Sequence, residues 1–137
     1  MASSSTSDLQ EVVLVVEDEI LIRHVIADYL RSCGYKVIEA ATAEEATVLL
    51  GHTEIEIDIV FSDVEMPGSM DGFSLAKWLR ANRPGVDVIL TGNVTRATEA
   101  AADLCEEGPM PKPYEPQTAA DRIRHLLALR AARSKKK

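Results

Sequence analysis

The stretch Val12-Val13-Leu14-Val15-Val16-Glu17-Asp18-Glu19 decides the fold. Five consecutive apolar residues, four of them β-branched, suit a strand covered on both faces, since a strand with one wet face would alternate apolar and polar positions. The run then breaks into acids. Three further segments, Tyr35–Glu39, Asp58–Ser62 and Val86–Thr91, have the same β-branched character. Gly108–Pro111 is a weaker strand candidate, because its prolines cannot donate to a ladder.

Helical patterns fall between these segments. Ile22, Ile26, Tyr29, Leu30 and Cys33 recur at helical spacing, and Gly34 follows as a stop signal. Thr42-Ala-Glu-Glu45 has the form of a capping box and opens a helix with Ala46, Leu49 and Leu50 inward. Phe73, Ala76 and Leu79 line a third helix that must end near Asn82, ahead of Pro84. Thr95–Cys105 is Ala-rich with a thin apolar stripe, and predicts a loosely packed fourth helix. Pro116 suits a first helical position, and Ile123, Leu126, Leu127 and Arg130 continue the last helix. Strict alternation predicts an α/β fold: a doubly wound, flavodoxin-like parallel sheet of five strands in the order 2-1-3-4-5, with five helices.

Composition sets outer bounds. The 137 residues fit one domain, and 46% hydrophobic with 27% charged residues is ordinary globular composition. The formal net charge is −7; the last seven residues contribute four positive charges and the first eleven two negative ones, leaving −9 on residues 12–130. A body that acidic disfavours nucleic acid and anionic membrane as partners. No apolar run approaches the ~20 residues of a membrane span, and the Ser-rich start lacks the features of a signal peptide. Cys33 and Cys105 form neither a disulfide framework nor a zinc pattern, and read as small core-filling thiols in a reducing, cytoplasmic compartment. His24, His52 and His125 lack metal-ligand spacing and read as solvated residues. Residues 1–11 read as a disordered leader, 12–130 as the domain and 131–137 as a disordered basic tail.

In a doubly wound sheet, ligands bind outside the carboxyl ends of the strands. Strand one runs into Glu17-Asp18-Glu19, strand three into Asp63, strand four into Thr91 and strand five into Lys112. Glu19 alone suits the dipole of the first helix. The other ends collect acids, a hydroxyl and an ammonium in one crevice. Carboxylates crowded together repel unless a cation neutralises them, and oxygen donors without His or Cys suit Mg²⁺ rather than zinc or copper. Such a metal keeps positions open for a phosphate, whose transfer depends mostly on positioning and charge neutralisation.

These residues resemble a known family. Val13-Leu-Val-Val-Glu-Asp-Glu19, Phe61-Ser-Asp-Val-Glu-Met-Pro67 with Met70-Asp-Gly72, Leu90-Thr91 and Lys112-Pro113 are similar to the receiver domain of bacterial two-component response regulators, over about residues 12–130. The resemblance implies a chemotaxis-regulator-like, stand-alone receiver. It implies that Asp63 accepts a phosphoryl group from a sensor histidine kinase or phosphotransfer protein. Asp18 would ligate Mg²⁺ (or Mn²⁺) directly, Glu17 largely through water, and Asp63 and the backbone carbonyl of Glu65 would complete the protein's ligands. Thr91 and Lys112 would contact the phosphoryl oxygens, Gly92 would leave room for the group, and the Lys112–Pro113 bond would be cis. The first helix near Ile20 to His24 and the Lys112–Tyr114 turn would meet the kinase. A monomer that signals by altered contacts with a downstream protein, dimerises on activation or shuttles phosphate follows. No reaction on an outside substrate is implied.

Departures from the family pattern bear on regulation. Met66-Pro-Gly-Ser-Met-Asp-Gly72 is one residue longer than usual. Pro109 replaces the common aromatic three positions before the lysine, leaving Tyr114 as a packing residue or a substitute reporter surface. Glu65 and Asn93 occupy the positions that tune phosphoryl lifetime. Two other readings compete. A haloacid-dehalogenase-type phosphatase needs an Asp where Glu65 stands, and a non-phosphorylated adaptor would have no use for the acids, Thr91 and Lys112 together.

Overall fold

A computed structural model of the protein describes residues 10–66, 68–92, 110–111 and 114–135. The elements are β1 (Val12–Val16), α1 (Ile20–Ser32), β2 (Lys36–Ala40), α2 (Ala43–Gly51), β3 (Ile59–Asp63), α3 (Gly72–Asn82), β4 (Asp87–Gly92), β5 (Met110–Pro111) and α4 (Pro116–Lys135). All strand pairs are parallel, in the order β2-β1-β3-β4-β5. The helix expected over 95–105, Cys105 and the first half of the expected strand at 108–111 lie outside the described residues.

The unbroken apolar run of β1 follows from its two covered faces. Val13 and Val15 join Ile59, Phe61 and Ile89 under α1 and α4, against Ile26, Leu30 and Ile123. Val12, Leu14 and Val16 point the other way, to α2 and α3, against Leu50, Leu75 and Leu79. Each large side chain buried here contributes about 1.5–3 kcal/mol relative to exposure. Leu75, fully buried, lies one position off the stripe expected for α3.

Strands β2, β3 and β4 each begin one residue later than the apolar runs suggest, because the preceding residue is used in a turn. Tyr35 N–H returns to Leu30 O (3.2 Å) while Gly34 N–H bonds Arg31 O (3.0 Å), a Schellman closure of α1 with Gly34 at φ +104°. Asp58 caps β1: its N–H donates to Val12 O (2.9 Å) and its Oδ2 accepts from Val12 N–H (2.8 Å). Val86 N–H closes a turn on Arg83 O (3.0 Å).

Other corrections concern ends. Cys33 is exposed, not in the core, because it is the C-cap where the chain leaves the helix. Just ahead of β1, Gln10 donates to Gly34 O (2.6 Å) and Glu11 O accepts from Lys36 N–H (3.0 Å). Helix α4 runs past 130 to Lys135. Arg130 and Arg133 of its last turns lie 3.8 and 3.6 Å from Asp87, and Arg130 also donates to Asp58 O. Those ion pairs anchor the extension to the amino ends of β3 and β4. His24, His52 and His125 are exposed, as expected.

Helix α2 starts as the capping pattern requires, Thr42 Oγ1 accepting from Glu45 N–H (3.1 Å). The reciprocal arm lands one residue early, Glu45 Oε1 accepting from Ala41 N–H (2.6 Å). Next to it, Glu44 Oε2 accepts from both the N–H and the hydroxyl of Ser69 (2.9 Å each). Hydrogen bonds from its own backbone and from Ser69 hold the Glu44 carboxyl below the ordinary carboxylate value. Helix α3 starts on Asp71, whose Oδ1 accepts from Ser74 N–H (2.9 Å).

Gly72, the first residue of α3, lies against the end of β3. A Cβ there would stand 2.3 Å from Asp63 O and 2.8 Å from Val64 Cα, both backbone atoms with no room to yield. Gly72→Ala should therefore destabilise the fold by about 1–3 kcal/mol, read as a lower urea midpoint at unchanged slope. Glu44 makes a pH prediction. A depressed folded value means its stabilisation is complete above the unfolded value and is lost as pH falls through the folded one. A carboxyl-carbon NMR titration of Glu44 should show a midpoint below the ordinary glutamate value, moving back toward it in Ser69→Ala.

Candidate functional site

The carboxyl ends of β1, β3 and β4 are adjacent because of the register, which sets Val16 opposite Ser62 and Asp63 opposite Thr91. Glu17 continues the β1 ladder by one bond, its N–H donating to Ala40 O (3.1 Å), and is only 4% exposed. Asp18 is exposed beside it, at the mouth of the crevice. Asp63, the last residue of β3, is 7% exposed and Thr91 is 1% exposed. Carboxylate oxygens of Glu17, Asp18 and Asp63 all lie within 4.8 Å of one another.

Asp63 and Glu17 are each held by a backbone N–H. Asp63 sits where β3 meets its loop: Val64 N–H bonds Thr91 O (2.7 Å), Ser62 Oγ donates to Asp63 O (2.9 Å) and Glu65 N–H donates to Asp63 Oδ1 (3.3 Å). Glu17 Oε2 accepts from Glu19 N–H (3.2 Å), so Glu17 engages the start of α1. Glu19, expected to do this alone, is the N-cap but makes no side-chain cap bond.

Arg23 holds the β1–α1 turn. Its guanidinium donates to Glu17 O (2.9 Å) and to Glu39 Oε1 of β2 (3.2 Å), while Arg31 takes Glu39 Oε2 (3.1 Å). Sequence reasoning passed over Arg23, whose only signal is a charge set between Ile22 and Ile26 on the inward side of α1. It lines a narrow cavity behind the acids, together with Glu17, Phe61, Asp63, Thr91 and Tyr114. Tyr114 packs its ring edge-on against Phe61 (centroids 5.7 Å apart, 84°) and is half-buried, so its body is a packing element of this cavity wall.

Gly92 has φ +142°, and a Cβ there would come within 3.4 Å of Asp63 Oδ1 and 3.3 Å of Val64 Cβ. A side chain at 92 would press on the Asp63 carboxylate, so glycine keeps the space beside it open. Lys112, Pro113, Asn93 and Pro109 lie outside the described residues, and Glu65 is exposed on the loop after Asp63.

Three clustered carboxylates with no His or Cys among them make a hard oxygen donor set, which fits Mg²⁺ or Mn²⁺ and not a thiolate- or imidazole-preferring metal. No helix among the described residues is long and apolar enough to cross a membrane.

Comparison with known proteins identifies the family. The sensor kinase CckA of Brucella abortus is 36% identical over 118 residues, covering 84% of this chain and 12% of the relative. The response regulator protein FleR of Pseudomonas aeruginosa is 36% identical over 123 residues, 84% of this chain and 24% of its own. The aerobic respiration control protein ArcA of Escherichia coli is 29% identical over 117 residues, 85% of this chain and 48% of its own. The chain thus spans less than half the length of each of these relatives. Among solved structures, a CheY-like receiver domain protein from Methanospirillum hungatei superposes with a TM-score of 0.82 at 21% identity, covering 90% of this chain and 98% of that one. Chemotaxis protein CheY4 of Vibrio cholerae gives a TM-score of 0.70 at 26% identity, covering 85% and 98%. The sequence pattern of the response regulator receiver domain matches residues 13–124, and the chain belongs to that family.

Proposed function

We propose that this chain is a phosphorylation switch in which Asp63 accepts a phosphoryl group from a phosphohistidine on a sensor kinase or phosphotransfer protein. The observation that carries the reading is the trio of Glu17, Asp18 and Asp63 within 4.8 Å, at the strand ends beside the space kept open by Gly92. In the transfer, an Asp63 oxygen bonds to phosphorus as the phosphorus–nitrogen bond breaks. The bonding pair leaves with the ring nitrogen, and the imidazole departs neutral, keeping its other N–H. Hydrolysis of the acyl phosphate later releases inorganic phosphate and restores the carboxylate.

Glu17, Asp18, Asp63 and the Glu65 carbonyl are the groups that would hold Mg²⁺, or Mn²⁺ in its place. When bound, the metal supplies neutralisation of the carboxylates and of the incoming phosphoryl charge. Thr91, opposite Asp63 in the register, offers a hydroxyl to a phosphoryl oxygen, and Lys112, the next residue in sequence after β5, would supply an ammonium. Gly92 admits the group, Pro113 and Tyr114 follow the lysine in sequence, and Glu65 and Asn93 are the positions this reading assigns to tuning the phosphoryl lifetime. New charge at Asp63 draws Thr91 toward it and would bias the expected fourth helix, Thr95–Cys105, and the Gly108–Tyr114 segment, the switching element of this reading.

Partners follow from the surface. Ile20, Leu21 and Val25 stand exposed on α1 beside the crevice, Leu21 at 78%, an apolar face suited to a kinase or phosphotransfer helix. Residues 12–130 form the receiver unit in this reading, with the full fold of five strands and five helices, in a cytoplasmic setting. Its output is a change in contacts with a downstream protein, which can include dimerisation, or onward transfer of the phosphoryl group. The reaction is confined to its own Asp63, with no outside substrate turned over.

Incubation with Mg²⁺ and acetyl phosphate tests the reading by intact mass. A single phosphoryl increment is expected, abolished by Asp63→Asn and by excess EDTA. An increment that survives Asp63→Asn, or none in the wild-type chain, contradicts it.

A further inference from the structure

We propose that Glu44, on α2, is a positioning residue for the loop that follows Asp63, latching Ser69 so that the loop keeps the Glu65 amide on Asp63 and slows loss of the phosphoryl group. The proposal rests on the reading of Asp63 as phosphoacceptor. It is carried by how the loop between β3 and α3 is fastened. Its base is closed where Gly72 N–H bonds Val64 O (2.9 Å), with Gly72 seated against Asp63 O. Its start touches the reacting carboxylate, through Glu65 N–H on Asp63 Oδ1 (3.3 Å). Its far side is tied to another element, where Ser69 N–H and Oγ both donate to Glu44 Oε2 (2.9 Å each) across 25 residues of sequence.

The latch has its own fitted receptor. Gly68 adopts φ +101°, and a Cβ there would stand 2.8 Å from Glu44 Oε2 and 3.1 Å from Oε1. A side chain at 68 would be strained by its backbone and would also push the carboxylate off Ser69. Gly68 and Ser69 lie where this loop is one residue longer than the usual family pattern. Extra loop length adds accessible conformations, and two hydrogen bonds to one carboxylate oxygen remove them. Met66 and Met70, on either side, pack onto the α2–α3 face of the core, so Ser69 sits between two anchored positions of the loop. The bonds that hold the Glu44 carboxyl below its ordinary value are those that favour its ionised, latching form.

The test uses the full chain, phosphorylated with acetyl phosphate and Mg²⁺, freed of donor and followed by intact mass. Glu44→Ala should speed decay by about three- to tenfold, the factor that loss of one or two net hydrogen bonds corresponds to. Ser69→Ala, which keeps the N–H bond, should give a smaller increase, and Glu44→Gln, which keeps an acceptor, should fall between wild type and Glu44→Ala. Glu45→Ala is the control: it removes the neighbouring α2 cap on Ala41 and lowers stability, but should leave decay within about twofold. Equal decay in Glu44→Ala and wild type, or equal acceleration by Glu45→Ala, overturns the latch. A second readout needs no phosphate. Amide exchange at Ser69 and Glu65 should both quicken in Glu44→Ala, and an unchanged Glu65 overturns the coupling. A wild-type chain that accepts no phosphoryl group refutes the phosphoacceptor reading instead, and the exchange experiment then decides the latch separately.

Discussion

Parallel pairing of β1 with β3 is the constraint on which the rest depends. Register fixes Val16 beside Ser62, so the two chains emerge from the sheet together and their next residues are Glu17 and Asp63. A strand-end crevice gives side chains one direction to go, and three carboxylates end within 4.8 Å. Separation would require breaking a ladder whose every β1 residue is buried on one face or the other. The apolar core therefore stabilises the crowding of the acids, and a cation is the natural complement.

The two ends of the same sheet treat carboxylates differently. At the amino ends, Asp58 and Asp87 meet Arg130 and Arg133 from α4, and Asp58 also caps β1. Those charges are spent on fastening a helix to the sheet. At the carboxyl ends, Arg23 directs its guanidinium to the Glu17 carbonyl and to Glu39. It fixes the turn while the carboxylates face one another. Stability and chemistry are thus segregated along the strand direction, as in other doubly wound sheets.

Much of this was readable from the sequence, for identifiable reasons. A run such as Val12–Val16 has no polar alternation, and only burial on both faces explains that; the alternation with helical stripes then limits the topology. Glu17, Asp18, Asp63 and Thr91 were legible as neighbours because strand ends in this architecture converge. Strand starts slipped by one residue because Tyr35 and Asp58 put their backbone groups into turn closures that apolar character does not reveal. Cys33 misled for a similar reason, sitting at helical spacing but on the cap. Arg23 and Glu44 were not legible as parts of the site, since each acts on a partner brought near by tertiary structure: Glu39 of β2 and Ser69 of the loop. Leu75 and the tight seat of Gly72 belong to packing that spacing alone does not resolve.

The central claim is that Glu17, Asp18 and Asp63 form one repelling cluster that a divalent cation relieves. Thermal unfolding with increasing MgCl₂, against NaCl at matched ionic strength, tests it most directly. The wild-type chain should show a saturable rise in Tm specific to Mg²⁺, worth about 2.7 kcal/mol at a concentration a hundredfold above Kd. Asp18→Asn and Asp63→Asn should each reduce that rise. A rise reproduced by NaCl, or one that survives both substitutions together, would contradict the account.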